Sequence, residues 1–252
     1  MNLVPREVRI LVGKELRQVR RSRGALASAT LLPLFLMTLM PLVQVFSARS
    51  AAVPAQSTRS EVFLGPGMAE VGNDPMQLVL TFMLPLAIVL GGLVAPSISA
   101  TYTVVAERER RSLDLLMALP VSVTDILLAK LLAMLVLASV VVLPLFAIDM
   151  VVLVAWGLIS AIDILLLLIL LLASLACSVG VALLLALLAR DFRTANNLNG
   201  AFLGPLIVAT LAIMLLLTGP VRYLMLTVLL VGVGLVAVVA GLRWLTFERY
   251  LA

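Results

Sequence analysis

The acid–base and metal-binding inventory of this sequence is short. Among 252 residues there are no histidines, one cysteine (Cys177) and two lysines (Lys14 and Lys130). Without histidine, neither a Ser-His-Asp nor a Cys-His nucleophile can be assembled. Neither a zinc-protease helix nor a Cys/His metal site is available. A single cysteine leaves no disulfide within the chain. A serine–lysine hydrolase would need a lysine buried among apolar residues, and both lysines sit in polar flanks. No G-x-x-x-x-G-K-[ST] occurs, nor a G-x-G-x-x-G ahead of a helix, so the chain shows no nucleotide site of its own. These exclusions predict a protein that is not an enzyme, with no catalytic residues, no metal and no resident cofactor.

The remaining chemistry lies in charged groups. Outside the N-terminus the densest cluster is Glu107-Arg108-Glu109-Arg110-Arg111-Ser112-Leu113-Asp114-Leu115-Leu116-Met117-Ala118-Leu119-Pro120. On a helix, Leu113, Leu116 and Met117 share one side, with Leu119 nearby. Glu107, Arg108, Arg110, Arg111 and Asp114 fall mostly elsewhere. An apolar ridge flanked by both signs of charge suits the groove of a soluble partner. A solvated charged connection has the same pattern, and periodicity alone leaves both readings open. Asp149 closes the apolar run Leu131–Ile148. An intramembrane acid is a functional candidate by default. Counting about 1.5 Å per residue from Lys130 across a core of about 30 Å places it near the far face, at interfacial depth. No acid falls at mid-depth and no chain of acids forms a proton relay, which argues against proton-driven transport.

The elements that must position these groups are apolar. The chain is 63% hydrophobic and 12% charged, against about 45–50% and about 25% in soluble domains. Ala25–Ala48, Pro75–Ala106, Leu131–Ile148, Ile164–Ala189, Thr194–Val221 and Tyr223–Leu242 are free of charge. Each reaches the roughly 18 residues that mark a candidate span. In hydrocarbon the backbone must satisfy itself, and runs such as Ile164 to Leu172 lack the alternation of barrel strands, so the spans are expected to be helices. The predicted fold class is an all-α membrane protein with six transmembrane helices, at about 25–46, 77–100, 126–154, 164–188, 197–217 and 223–243. The first apolar region, about 22 residues, exceeds the 7–15 of a signal peptide, so a retained span is expected.

Residues 1–24 interleave Arg6, Arg9, Lys14, Arg17, Arg20, Arg21 and Arg23 with Val8, Leu11, Val12, Leu16 and Val19 at helical spacing. This predicts an N-terminal amphipathic interfacial helix, its basic face toward lipid phosphates. Residues 47–76 hold Pro54, Gly65, Pro66, Gly67, Gly72, Asn73 and Pro75 and read as a polar loop. Pro85, Gly91, Gly92 and Pro96 fall inside the second span, where kinks are expected. Such kinks serve a transport path or are merely accommodated in a static bundle. With the N-terminus inside, fifteen of the 18 Lys/Arg fall on the inner side and three (Arg49, Arg59 and Arg222) outside. That asymmetry predicts cytoplasmic termini and a cytoplasmic segment 107–119. It also accounts for the net charge of +5 without nucleic acid.

The run Glu107 to Ser122, followed by Asp125-Ile126-Leu127-Leu128-Ala129-Lys130, resembles the cytoplasmic signature of ABC-2 type transporter permeases, roughly E-R-E-x-G-T-L-E-x-L-L-x-x-P-[VI]-S with a lysine opening the third span. Arg111, Ser112 and Asp114 depart from it, standing where Gly, Thr and Glu are usual. The basic start with Lys14-Glu15-Leu16, the six spans and the polar loop after the first also fit. The resemblance implies a permease subunit of an ATP-driven exporter in the cell inner membrane. It would work with two cytoplasmic P-loop ATPase subunits, which bind ATP and Mg, and with a second permease subunit, identical or not. Residues 107–119 would be the coupling helix, with Glu107, Arg108, Glu109, Arg110, Leu113, Asp114, Leu116 and Met117 at the ATPase interface. Arg9, Lys14, Arg17 and Arg20 would carry the interfacial helix, in contact with membrane lipids. The path would run along spans 1, 2 and 5, with Pro85, Pro96 and Asn199 as candidate lining residues. A self-contained secondary transporter or channel, and a non-transporting scaffold subunit, are the alternatives.

Overall fold

The computed structural model describes residues 13, 30–50, 66–67, 74–94, 96, 123–188 and 192–251. Apart from Gly13, the expected surface helix lies outside them, as does the whole of 107–119. Among the described residues there are helices and turns and no strand. Six helices are long and apolar enough to cross a membrane, and the all-α, six-span fold is what forms. They are α1 (Thr30–Ser50), α2 (Pro75–Val94), α3 (Val123–Ala155), α4 (Ala161–Leu188), α5 (Phe192–Leu216) and α6 (Val221–Leu251). One end of the bundle carries the α3–α4 and α5–α6 turns and is called here the Trp156 end. The other carries Arg193 and the α4–α5 connection. At 33 and 31 residues, α3 and α6 outrun a bilayer core of about 30 Å, which about 20 residues cross. Their surplus lies toward the Arg193 end, beyond the apolar stretches Leu131–Ala155 and Val221–Gly241.

Local sequence explains where the helices start and stop. Asp74 caps α2, its side chain accepting from the Met76 amide at 2.9 Å, with Pro75 in the first turn where a missing N–H costs nothing. Ser160 and Asp163 cap α4 reciprocally. The Ser160 hydroxyl accepts from the Asp163 amide at 3.3 Å, while Asp163 accepts from the Ser160 amide at 3.2 Å and from its hydroxyl at 2.6 Å. Gly157 (φ 66°) and Gly219 (φ 61°) take the left-handed conformation that each tight turn needs. α1 runs on to Ser50, four residues past its expected end at 46, because Ser47 and Ser50 bond back to the carbonyls of Gln44 and Phe46 and the polar stretch stays helical.

Of the four helices that contain proline, α3 (Pro144) and α5 (Pro205) stay α-helical, whereas α1 and α2 carry π-helical segments, Leu34–Leu39 and Val79–Met83. In each, the amide just past the segment reaches five residues back: Met40 to Phe35 and Leu84 to Val79. A buried proline follows at once, Pro41 and Pro85. A proline ring would collide with the carbonyl four residues before it, and a wider turn relieves that collision.

Helix α4 is the centre. It and α2 are the most buried spans, at 61% and 56%, against 22–33% for the other four. One apolar cluster joins α1, α2, α3 and α4 through Met37, Ile88, Val142, Phe146 and Leu171. A second joins α2, α4, α5 and α6 through Leu93, Cys177, Leu206, Met214 and Leu230. α4 and α6 meet along a seam of small residues. A Cβ on Gly234 would lie 2.9 Å from Cys177 Cα, and one on Gly180 would lie 2.8 Å from the Gly234 carbonyl oxygen. α6 has two further glycines, Gly232 and Gly241. Gly241 is buried, whereas Gly232 is exposed with nothing near it. The 47–76 segment also touches the bundle. Gly67 is buried on the last turn of α5, where a Cβ would fall 2.3 Å from the Met214 carbonyl oxygen.

Candidate functional site

Three places hold polar groups where an apolar bundle should have none. The first is at the Arg193 end, where α2 gives way to the connection containing 107–119. Ser178 of α4, 1% exposed, donates its hydroxyl to the Leu93 carbonyl in the last turn of α2. Gly92, one residue earlier, packs so tightly on Ser174 that a Cβ would fall 1.9 Å from its hydroxyl oxygen. The exit of α2 is thereby fixed to the central helix. The connection returns at Val123, the first residue of α3. Glu107, Arg108, Glu109, Arg110, Leu113, Asp114, Leu116 and Met117 lie outside the described residues, as do Arg9, Lys14, Arg17 and Arg20.

The second place is the outward face of α5. Arg193, Thr194, Asn197, Gly200, Ala201, Gly204, Pro205 and Val208 are exposed at helical spacing. The described outward face of α6 is apolar from Leu224 to Val239, with Leu224, Val228, Val231, Leu235 and Val239 exposed, ahead of Arg243 near the Arg193 end. Lipid tails suit the second face. An amide among small residues suits close approach by another helix, since small side chains let backbones come near and polar ones bond across. Asn199 points the other way. It is 9% exposed, and its carbonyl oxygen Oδ1 has no hydrogen-bond partner among the described residues. Pro85 and Pro96 are likewise buried. The three candidate lining residues thus lie inside this one chain and not on its surface.

The third place joins α1 and α3. Asp149 is 1% exposed, and the Thr38 hydroxyl donates to its Oδ2 at 3.3 Å. Its Oδ1 has no partner among the described residues. Depth counting put Asp149 at the interface. At that position it is shielded on the inward face of α3, with Phe146, Met150 and Leu153 buried beside it in sequence. Counting residues fixes position along a helix axis but not around it. The available signal was the spacing Val142, Phe146, Asp149, Leu153, which puts the acid on the buried stripe. Nearer the Trp156 end the same two helices are joined by rings: Phe46 lies 6.3 Å from Trp156, and the Arg49 guanidinium sits 5.3 Å from the Trp156 ring centre.

A family model described as "ABC-2 family transporter protein" matches residues 9–229 of the chain. The match takes in five complete helices, the start of α6, both charged segments and all three polar places. Neither the curated proteins nor the solved structures include a significant match.

Proposed function

The chain belongs to the ABC-2 family of transporter proteins, and from that premise we propose that this multi-pass membrane permease is the transmembrane subunit of an ATP-driven exporter. The observation that carries the reading is the family match across 9–229, which includes the charged segment 107–119. The sequence offers no nucleotide motif, so uphill transport needs a motor on another chain, and a motor needs a docking surface. Leu113, Leu116 and Met117 provide the apolar ridge, and Glu107, Arg108, Glu109, Arg110 and Asp114 set its register on a cytoplasmic P-loop ATPase that binds ATP and Mg. The anchoring of the α2 exit by Ser178 and Gly92 supports this role, because a coupling segment transmits force only if its root is held.

Two ATPase subunits and two permease subunits make up the assembly. The small, amide-bearing face of α5 supports a second permease subunit there, with the path between the two copies. The charge asymmetry supports an inner-membrane orientation with the Arg193 end and both termini in the cytoplasm. Arg9, Lys14, Arg17 and Arg20 then lie along the inner leaflet.

The docking assignment is tested by replacing Leu113 and Leu116 with Asp together. Co-purification with the P-loop ATPase is expected to disappear while membrane insertion stays at the wild-type level. Co-purification at wild-type yield would show the assignment to be wrong.

A further inference from the structure

The Thr38–Asp149 pair is poorly made for a structural contact. Its single hydrogen bond is long, at 3.3 Å. A carboxyl oxygen buried without a donor keeps the cost of its lost hydration, and Asp149 Oδ1 is in that position. An apolar side chain of similar size would fill the site without that penalty. Asp149 therefore opposes the stability of the very conformation in which it is buried, which is the pattern of a residue kept for what it does elsewhere in a cycle.

Its partner sits on a second irregularity. Thr38 lies inside the π segment Leu34–Leu39 of α1. A π turn holds one residue more than an α turn, and redrawing it as α rotates the chain beyond by about 100°. Pro41 has no N–H, so the Met37 carbonyl has no i→i−4 donor to lose in such a change. The rearrangement thus sacrifices few backbone bonds. It would carry Thr38 off Asp149. Among the described residues α4 and α6 carry no π segment, and they meet backbone to backbone at Gly180 and Gly234.

We propose that the Thr38–Asp149 hydrogen bond is a latch between α1 and α3 that holds one transport state, and that Asp149 is a positioning residue that releases Thr38 in the other. The role in transport rests on the permease reading above. The latch itself is a property of the chain. In the released state the π segment relaxes, α1 turns against α3, and the freed carboxyl meets polar donors on the path that it lacks in the latched state.

The test uses the full-length permease in lipid nanodiscs, alone and with its ATPase. Amide hydrogen exchange is read along α1, with α4 and α6 as internal references. Thr38→Val removes the bond at constant shape, and exchange over 34–42 is expected to rise about tenfold while α4 and α6 are unchanged. Asp149→Leu removes the same bond, so exchange over these residues is expected to rise as in Thr38→Val, while loss of the buried penalty raises the unfolding temperature of the whole protein. Asp149→Asn keeps an acceptor for Thr38 and is expected to hold the wild-type exchange pattern. With the ATPase present, Asp149→Leu is expected to lower kcat for ATP by about tenfold at unchanged KM.

Unchanged exchange in both Thr38→Val and Asp149→Leu would overturn the latch. So would an Asp149→Leu protein that is less stable than wild type, or one that turns over ATP at the wild-type rate. If Asp149→Leu does not fold, Thr38→Val decides alone. Failure of any ATPase to co-purify would instead defeat the ATP-driven reading and leave the exchange result to judge the latch.

Discussion

The α4 seams and the α1–α3 contact join similar apolar helices by opposite means. Around α4 the approach is close: Gly180 and Gly234 meet backbone of the facing helix, at Gly234 and Cys177, and Gly92 packs directly on the Ser174 side chain. Close packing of this kind is stiff, because a shift of a few tenths of an ångström produces overlap. Between α1 and α3 there is one long hydrogen bond, an unsatisfied carboxyl oxygen, a π segment and, near the Trp156 end, a pair of ring contacts. These polar and ring ties are few and individually weak, and the rest of the contact is apolar, through Met37, Val142 and Phe146. The difference separates a fixed pair, α4 with α6, from the α1–α3 contact, where α1 carries a π segment. Transport by alternating states requires both, a frame and something that moves against it.

The comparison breaks most visibly if the frame is wedged. Gly234→Leu is expected to cost about 3 kcal/mol or more, since the new side chain meets the Cys177 backbone 2.9 Å away and cannot rotate clear. Gly232→Leu, two residues along the same helix with nothing within 4 Å, is expected to stay within about 0.5 kcal/mol of wild type. Thermal unfolding of the purified proteins reads both. At about 2–4 °C per kcal/mol for a chain of this size the first shift is large and the second near zero. Equal shifts would mean that α4–α6 is no tighter than a lipid-facing surface.

A finer test asks whether tightness depends on the atom that is met. Gly92→Ala places its Cβ 1.9 Å from Ser174 Oγ and 2.9 Å from Ser174 Cβ. The hydroxyl, bonded at 2.7 Å to the Leu171 carbonyl, can turn away, but Cβ cannot. A loss of about 1–2 kcal/mol is expected. Ser174→Gly in the same protein is expected to recover most of it, and Ser174→Ala less. A double-mutant cycle in unfolding free energy gives the coupling. Independent effects of the two positions would place the overlap somewhere other than this pair.

The frame was easier to read in the sequence than the moving half, for a physical reason. Charge-free runs set the six spans because burying charge in hydrocarbon is costly. Turns were visible where Gly157 and Gly219 supply positive φ. Small residues in α4 and α6 signalled close approach, yet their partners were hidden. Gly180 and Gly234 belong to different helices far apart in the chain, and no spacing within one helix records which neighbour it meets. The π segments were not legible either. Pro41 and Pro85 announce a disturbance, but whether the chain kinks, breaks or widens depends on the surrounding packing. The burial of Asp149 went unread because depth along α3 says nothing of direction around it. The candidate docking residues from Glu107 to Met117 were found by charge pattern and family resemblance, and their geometry falls outside the described residues.

The smallest expected effect lies in the moving half and is informative because it is small. Arg49 is exposed, with its guanidinium 5.3 Å from the Trp156 ring centre. A cation over an indole at an exposed site contributes about 0.5–1 kcal/mol. Arg49→Gln is expected to cost that much, a drop of about 1–4 °C, and Arg49→Lys to keep most of it. The chain has only two tryptophans, Trp156 and Trp244, so a Trp244→Phe background leaves Trp156 as the sole indole reporter. In that background Arg49→Gln should change Trp156 emission before any unfolding, because the cation leaves the ring face, while Gly234→Leu should act on emission only through unfolding. If Arg49→Gln destabilised the protein as much as Gly234→Leu, the α1–α3 contact would be as rigidly held as the α4 seams. The division into a frame and a moving half would then fail.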